Sequence, residues 1–335
     1  MPAAPLNRRV VLANRPQGNV TPQNFRIEEA PIPAPAEGEV LVRNEWLSLD
    51  PYMRGRMSDA KSYVPPVAID AVMVGQTVGE VVESRHAGFR KGDKVLTALG
   101  WQLYGTARGK ELTMVDASRV PASYYLGVLG MPGVTAWFGL FEIGKPKLGE
   151  TVVVSAASGA VGSVVGQLAK EEGCRVVGIA GGAKKCEYVV KELGFDACVD
   201  YKAGRLHEDL RAACPDGVDV NFENVGGAVL DTTLRLARLN ARFVICGLIA
   251  EYNATEPYGY KAMRSVLVNR VTMRGMIVFD WKERYSEALA DLAARVAMGK
   301  LRYKESVVEG LDNAPQGLIA LLAGGNFGKQ VVKLS

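Results

Sequence analysis

The chain has 335 residues, a formal net charge of +4, and a composition that is 48% hydrophobic and 23% charged. This length favours two domains, and the composition is that of an ordinary globular protein. The weak, dispersed charge does not indicate nucleic acid as a partner, and no apolar run reaches the length of a membrane span, so we expect neither partner.

Residues 1–126 show the pattern of a β-rich domain. Short apolar or alternating runs lie between Pro, Gly and Asp turns, and they predict strands at 10–13, 39–46, 77–83, 94–98 and 112–115. The tail, residues 303–335, returns to strand and turn character. We expect it to rejoin this domain.

Residues 127–302 show alternating strands and helices. Strands are predicted near 151–155, 175–180, 196–199, 218–222, 241–246 and 271–278. Helical patterns lie near 162–173, 184–193, 204–213, 226–239, 259–268 and 282–299. Six strands with five crossovers predict an α/β fold with a doubly wound parallel sheet of the Rossmann type.

The segment 151–182 carries the clearest functional signal, an apolar strand followed by small residues, an amphipathic helix and a second strand. Gly159 and Gly162 match the last two glycines of a dinucleotide-binding turn, and Ala156 or Ala157 replaces the first. A tight turn without a ligand is the alternative. We predict cofactor contacts at Ala156, Ser158, Gly159, Ala160, Val161 and Gly162.

The end of the second strand distinguishes between the two nicotinamide cofactors. An NAD-binding unit has a carboxylate here, whereas this chain reads Ala-Gly-Gly-Ala-Lys-Lys over 180–185 and has no acidic residue before Glu187. Lys184 and Lys185 suit a 2′-phosphate, although two solvated lysines at a helix start would look the same. We predict NADPH/NADP+ as the cofactor, with Gly181 in contact.

The cysteines and histidines do not form a metal site. The five cysteines are widely spaced without a C-x-x-C motif, which is typical of reduced, mostly structural thiols. His86 and His207 lie in polar surroundings and are expected at the surface. Zinc needs three or four converging ligands, so no metal site is predicted. Because residues 1–16 are too polar for a signal peptide, we expect a cytoplasmic protein.

Several stretches resemble the zinc-independent branch of the medium-chain dehydrogenase/reductase superfamily. Within it, the chain is similar to the NADPH-dependent alkenal/one double-bond reductases, a group that includes leukotriene B4 dehydrogenase/prostaglandin reductases and curcumin reductases. The stretches are LSLDPYMRGRMSD (47–59), SYVPP (62–66), VGQTVGEVVESRHAGFRKGDKV (74–95), LGMPG to ASGAVGS (129–163), NVGG (224–227) and GNFGKQVV (325–332). The resemblance implies a GroES-like substrate domain (1–126 and 303–335) and a Rossmann NADPH-binding domain (127–302).

The resemblance also implies a type of chemistry. The zinc-binding G-H-E segment of related alcohol dehydrogenases corresponds here to Gly75-Gln76-Thr77. Reduction of an enone needs no Lewis acid, because a hydride goes to the β-carbon and hydroxyl donors stabilise the resulting enolate. The resembling reductases place a tyrosine near the nicotinamide ribose, here Tyr252. The preceding residue is Glu251 where the family usually has Gln, and packing on the sheet edge is the alternative role for the tyrosine.

Further residues are carried over by position. By resemblance, Lys185 and Tyr201 lie at the 2′-phosphate, Asn224 lies at the ribose, and Asn326 closes over the cofactor. The segment 276–279, ending at Phe279, has backbone beside the carboxamide. In the segment of Tyr252 we expect cofactor contacts at Cys246, Gly247 and Tyr252 itself. Tyr52 and Tyr63 are candidates for the substrate pocket, with packing at a domain interface as the alternative.

The preferred function is NADPH-dependent reduction of the C=C bond of α,β-unsaturated aldehydes and ketones. An NADPH quinone reductase and a catalytically silent NADPH-binding interaction protein are the alternatives. The resembling reductases are commonly dimers, so we expect a homodimer. The physiological substrate and the proton donor stay open.

Overall fold

The computed structural model describes residues 6–334. The described residues form two units, one containing the chain up to Gly127 and from Glu305 onward, the other spanning Val128–Lys304. Residues 1–5 and 335, which the predicted β-rich domain includes, lie outside this description. None of the described helices is both long and apolar enough to cross a bilayer.

The described elements are numbered along the chain. The strands are β1 (Leu6–Leu12), β2 (Phe25–Pro31), β3 (Glu39–Ser48), β4 (Thr77–Ser84), β5 (Lys94–Thr97), β6 (Tyr104–Arg108), β7 (Thr113–Met114), β8 (Thr151–Ser155), β9 (Arg175–Ala180), β10 (Ala197–Asp200), β11 (Val218–Glu223), β12 (Ala237–Ile245), β13 (Thr272–Gly275), β14 (Glu305–Glu309) and β15 (Lys329–Lys333). The α-helices are α1 (Tyr52–Arg56), α2 (Met131–Phe138), α3 (Gly162–Glu171), α4 (Ala183–Lys191), α5 (Leu206–Ala213), α6 (Gly227–Arg235), α7 (Met263–Val268), α8 (Tyr285–Ala297) and α9 (Ala314–Leu322).

The first unit is built on a mixed sheet in the order β14-β15-β3-β4-β5-β7, with β6 also paired to β3. β1 and β2 form a separate antiparallel pair. The returning tail enters the main sheet because β15 pairs antiparallel with β3 and parallel with β14. A core cluster that includes Leu47, Met53 and Trp101 also contains Leu318 of α9.

The sequence prediction for this unit was incomplete. It missed β2, whose FRIEEAP sequence alternates charged and apolar residues only weakly, and it missed β6. It was wrong to expect only strand and turn character in 303–335, because α9 lies there. Pro315 lies in the first turn of α9, where proline is favourable in a helix.

The second unit is a six-stranded sheet in the order β10-β9-β8-β11-β12-β13, and every neighbouring pair is parallel. The predicted α/β fold with a doubly wound parallel sheet is therefore confirmed. β8 and β11 are buried along their whole length, as central strands of a sheet covered on both faces must be. The strand order reverses between β8 and β11, so ligands of such sheets bind at the carboxyl ends there.

The boundary between α6 and β12 differs from the prediction. The helix expected at 226–239 ends at Arg235, and β12 begins at Ala237 rather than near 241. Val218 of β11 pairs with Ala237, and the register then shifts by the next pair, Val220 with Arg242. This irregularity depends on the neighbouring strand and leaves no local pattern in the sequence.

Candidate active site

The turn between β8 and α3 has the backbone that a dinucleotide-binding unit requires. Ala156 takes a left-handed φ of +50°, so it stands in the place of the first glycine, whereas Ala157 is fully buried. A Cβ on Gly162 would lie 2.5 Å from the carbonyl oxygen of Ala156, and on Gly159 it would lie 3.1 Å from that oxygen. The two glycines thus let α3 start directly against the end of β8. No side chain caps α3, so its positive dipole end faces the turn.

The other predicted contacts of this turn lie within it. Ser158 is buried, and Ala160 and Val161 are half-buried. A cradle of this kind, built from backbone and small side chains, fits a pyrophosphate.

The end of β9 meets the turn that follows β10. Asp200 Oδ1 accepts the Gly182 N–H at 2.8 Å and the Lys202 N–H at 2.9 Å, which ties the two segments together. A Cβ on Gly181 would lie 2.9 Å from the Tyr201 ring, so the ring packs over this glycine. The structure thus brings Gly181 and Tyr201, both predicted cofactor residues, into contact.

Two lysines bring positive charge to this place. Lys185 is half-buried, and burial together with the charge of Lys202 lowers the pKa of its ammonium group. The Lys202 ammonium lies 5.9 Å from the centre of the Tyr201 ring, and Lys184 is exposed. An anion between the two ammonium groups would relieve their repulsion, so this donor set fits a phosphate. Lys202 was not predicted from the sequence, although its position directly after Tyr201 was a usable signal.

A buried carboxylate organises the turn after β11. Glu223 is fully buried, and its carboxylate accepts Ser155 Oγ at 2.6 Å and Asn221 Nδ2 at 3.1 Å. It also accepts the N–H groups of Val225 at 2.7 Å and Gly226 at 3.0 Å. Burial raises the pKa of Glu223, and these hydrogen bonds oppose that rise. The Glu223 carboxylate is thus fully engaged by hydrogen bonds within its own unit.

Asn224 is held by the same serine. Its N–H donates to Ser155 Oγ at 2.7 Å, and its Nδ2 donates to the Ser155 carbonyl at 2.8 Å. The side chain therefore lies at the adjoining carboxyl ends of β8 and β11, next to the turn that begins at Ala156. Its predicted place near a ribose fits this position.

The segment that follows β12 brings Tyr252 to Asn224. The N–H groups of Cys246 and Gly247 both donate to the Glu223 carbonyl, at 2.9 and 3.1 Å. A Cβ on Gly247 would lie 3.3 Å from the Asn224 carbonyl oxygen and 3.4 Å from the Tyr252 hydroxyl. The Tyr252 hydroxyl oxygen accepts the Leu248 N–H at 3.3 Å. That accepted bond polarises the hydroxyl towards donation.

Glu251, the departure from the family pattern, is anchored to Tyr260 and to the start of α6. Its Oε1 accepts the Tyr260 hydroxyl and, at 3.1 Å, the Gly227 N–H in the first turn of α6. Burial and the hydrogen bond to Glu251 raise the pKa of the Tyr260 hydroxyl, which keeps this phenol protonated. A carboxylate at a helix start is favourable. Glu251 thus fastens the Tyr252 segment to α6.

The remaining predicted residues of the second unit follow β13. The Met276 N–H donates to the Ile245 carbonyl at 2.9 Å, which sets this segment beside the end of β12. The Phe279 side chain is 53% exposed.

Tyr52, Tyr63 and Asn326 belong to the first unit. Tyr52 opens α1 directly after Asp50-Pro51, and burial and the Asp50 charge raise the pKa of its hydroxyl. Tyr63 is 55% exposed. The Asn326 side-chain amide donates to the Gly328 carbonyl at 2.7 Å.

The segment that leads into α1 and Tyr52 is fixed by a buried ion pair. The Lys329 ammonium donates to the Leu49 carbonyl at 2.7 Å, Asp50 Oδ1 at 3.1 Å and the Gln330 carbonyl at 2.9 Å. Ser48 Oγ donates to the other Asp50 oxygen. All three ammonium hydrogens are thus used, as a buried charge requires.

Comparison with known proteins shows to which family the chain belongs. Residues 8–115 match a family model described as the N-terminal domain of oxidoreductase, and residues 160–295 match one described as zinc-binding dehydrogenase. The NADPH-dependent curcumin reductase of Escherichia coli (strain K12) is 50% identical, with 98% of this chain and 97% of that protein covered. The chain belongs to the zinc-independent medium-chain dehydrogenase/reductase family. The predicted family, enzyme class and NADPH cofactor are confirmed.

Two further family members are similar to this chain over nearly its whole length. A 2-alkenal reductase (NADP(+)-dependent) of Nicotiana tabacum is 41% identical, with 98% of each chain covered. The crystal structure of CurA in complex with NADPH from Vibrio vulnificus has a TM-score of 0.93 and 50% identity, with 98% of this chain and 99% of that chain covered. In this chain, no cluster of three or more His, Cys, Asp or Glu residues among residues 6–334 is placed to hold a metal ion.

Proposed function

We propose that this enzyme reduces the C=C bond of α,β-unsaturated aldehydes and ketones with NADPH. The observation that best supports this proposal is the position of the Tyr252 hydroxyl. It is polarised by the Leu248 N–H and lies beside Gly247 and Asn224 at the carboxyl edge of the parallel sheet. This is the edge at which doubly wound sheets bind their ligands. The relatives named as curcumin and 2-alkenal reductases support this substrate class.

The residues that would hold the cofactor follow from the site. Lys185, Lys202 and Tyr201 would bind the 2′-phosphate, because the two ammonium groups are near enough to repel each other and that of Lys202 lies 5.9 Å from the centre of the Tyr201 ring. The turn from Ala156 to Gly162 would bind the pyrophosphate through backbone N–H groups. Asn224 would lie at the ribose.

When bound, NADPH would supply a hydride to the β-carbon of the substrate, and the α-carbon would then take up a proton. Tyr252 donates a hydrogen bond to the carbonyl oxygen on which negative charge develops, and so lowers the barrier. A tyrosine suits this role because a phenol is in general able to donate a hydrogen bond at neutral pH. Tyr52 and Tyr63 stay predictions as substrate contacts.

The test is consumption of NADPH with a short alkenal, an enone and a quinone, each supplied separately, with identification of the products. We expect turnover of the first two and recovery of the saturated aldehyde or ketone. Turnover of the quinone alone would establish a quinone reductase instead. Binding of NADPH without turnover of any of the three would establish a silent binding protein.

We further propose a homodimer that forms through the edge of the six-stranded sheet. β13 is the edge strand of this sheet in the described chain. The neighbouring helix α7 exposes Met263 by 51%, Leu267 by 79% and Val268 by 53%. An exposed strand edge beside an apolar patch is a typical site for pairing with a second copy.

A cytoplasmic location is proposed because all five cysteines are thiols.

A further inference from the structure

Two thiols meet between α4 and β10, the two elements next to the proposed phosphate site. Cys186 lies in the first half of α4, next to Lys185, and Cys198 lies in β10, shortly before Tyr201. The two thiols are hydrogen-bonded to each other, and the backbone of Ala180 contacts both. Both side chains are half-buried.

The register of the sheet explains why they meet. Cys198 pairs with Gly178 of β9, which has no side chain. A Cβ on Gly178 would lie 2.9 Å from Val189 Cγ1 of α4 and 3.3 Å from Cys198 Sγ, so this sulfur lies on the sheet face that α4 covers. Cys186 precedes Val189 by three residues and therefore shares its helix face. The pair is thus held by the packing of α4 on β9 and β10.

Cys186 differs chemically from the other four cysteines, because the hydrogen bond to Cys186 and burial raise the pKa of Cys198 as well. The hydrogen bond from Cys198 lowers the pKa of Cys186, and a thiol near a helix N-terminus is stabilised as thiolate. Burial raises the pKa of Cys174 and Cys214 to about 11 and that of Cys246 to about 12, so less of each is present as the nucleophilic thiolate.

We propose that Cys186 and Cys198 form a two-thiol oxidation site that peroxides convert to a disulfide, and that this disulfide weakens binding of the cofactor's 2′-phosphate. The second part rests on the proposed phosphate site. A disulfide requires the two sulfurs to approach to about 2 Å, closer than any hydrogen-bonded contact. The approach draws α4 towards β10, and Lys185 and the Tyr201–Lys202 pair are attached to these two elements.

The chemistry balances with hydrogen peroxide as the oxidant. The Cys186 thiolate attacks one peroxide oxygen, the O–O bond breaks, and the departing hydroxide takes up the proton that Cys186 has lost. The resulting sulfenic acid is attacked by the Cys198 sulfur. The S–O bond breaks, and its hydroxyl leaves as water with the Cys198 proton. The thiols lose two electrons, and both peroxide oxygens end as water.

The test compares the full-length protein before and after hydrogen peroxide by intact mass and peptide mapping. We expect a loss of two hydrogens, mapped to a Cys186–Cys198 cross-link and reversed by dithiothreitol. Cys198→Ser should instead gain oxygen at Cys186, and the matched control Cys214→Ser should behave as the wild type. Absence of this cross-link in folded, peroxide-treated wild-type protein would overturn the proposal.

Binding of NADPH and NADH to the same samples tests the consequence. We expect the disulfide to raise the Kd for NADPH about tenfold, the equivalent of one weakened charge-assisted contact, and to leave that for NADH unchanged. An unchanged NADPH Kd in the cross-linked protein would overturn the coupling. If the reduced protein does not bind NADPH, the proposed phosphate site is wrong, whereas the mass measurement still decides whether the disulfide forms.

Discussion

At the scale of single residues, Lys185 is the sharpest test of cofactor choice. Lys185→Ala removes one charge-assisted contact to the 2′-phosphate, worth about 1.5–3 kcal/mol, or roughly ten- to a hundredfold in affinity. We expect the KM for NADPH to rise by this factor, with little change for NADH. Lys184→Ala is the matched control, since Lys184 is exposed and Lys185 half-buried. Equal losses for both cofactors would show that Lys185 supports the fold.

Substitution of Tyr252 tests whether its hydroxyl stabilises the enolate. Tyr252→Phe keeps the ring and removes the hydroxyl that accepts the Leu248 N–H. Because an oxyanion donor is lost, we expect kcat to fall about ten- to a hundredfold while NADPH affinity holds. Tyr258→Phe, in the same segment, should leave kcat unchanged. Unaltered turnover of a good enone by Tyr252→Phe would show that this tyrosine only lines the pocket and does not stabilise the enolate.

At the scale of elements, the contact of α3 with the end of β8 depends on Gly162. A methyl group there would lie 2.5 Å from a backbone oxygen, which cannot move aside as a side chain can. We expect Gly162→Ala to lower the free energy of unfolding by about 1–3 kcal/mol and to weaken NADPH binding. Gly259→Ala is the control, because nothing lies within 4 Å of the position of its Cβ. Wild-type stability in urea denaturation of Gly162→Ala would contradict this packing argument.

At the scale of the whole molecule, the proposed dimer depends on α7 and β13. Leu267→Asp places a charge on the apolar patch, so we expect a monomer by light scattering at concentrations where the wild type is dimeric. Leu148→Asp is the matched control, since Leu148 is 85% exposed and lies elsewhere on the same unit. A dimer that persists in Leu267→Asp, or a monomeric wild type, would refute the interface.

Independence from zinc is also a property of the whole chain. Although one matching family model is described as zinc-binding dehydrogenase, the segment predicted by resemblance to correspond to the zinc-ligand segment reads Gly75-Gln76-Thr77 in this chain. We expect activity to survive exhaustive chelation and metal analysis to find no stoichiometric zinc. One zinc per chain, removed together with activity, would be the contrary result.

The sequence alone determined the features that depend on short-range pattern. The strand, small-residue turn and helix over 151–173 follow from apolar periodicity and glycine spacing, and both are local properties. The lysines at 184–185 also indicated the cofactor without any structure. For the same reason, most strands of the parallel sheet were predicted to within a few residues.

Only the tertiary structure decided which separate segments meet. Lys202 joins Lys185 because β9 and β10 are neighbours, and Cys198 meets Cys186 because Gly178 leaves room between the sheet and α4. Glu223 gathers its donors from β8, from β11 and from its own turn. Such contacts depend on strand order and register, which are set by the packing of the whole unit. Local periodicity carries no information about them.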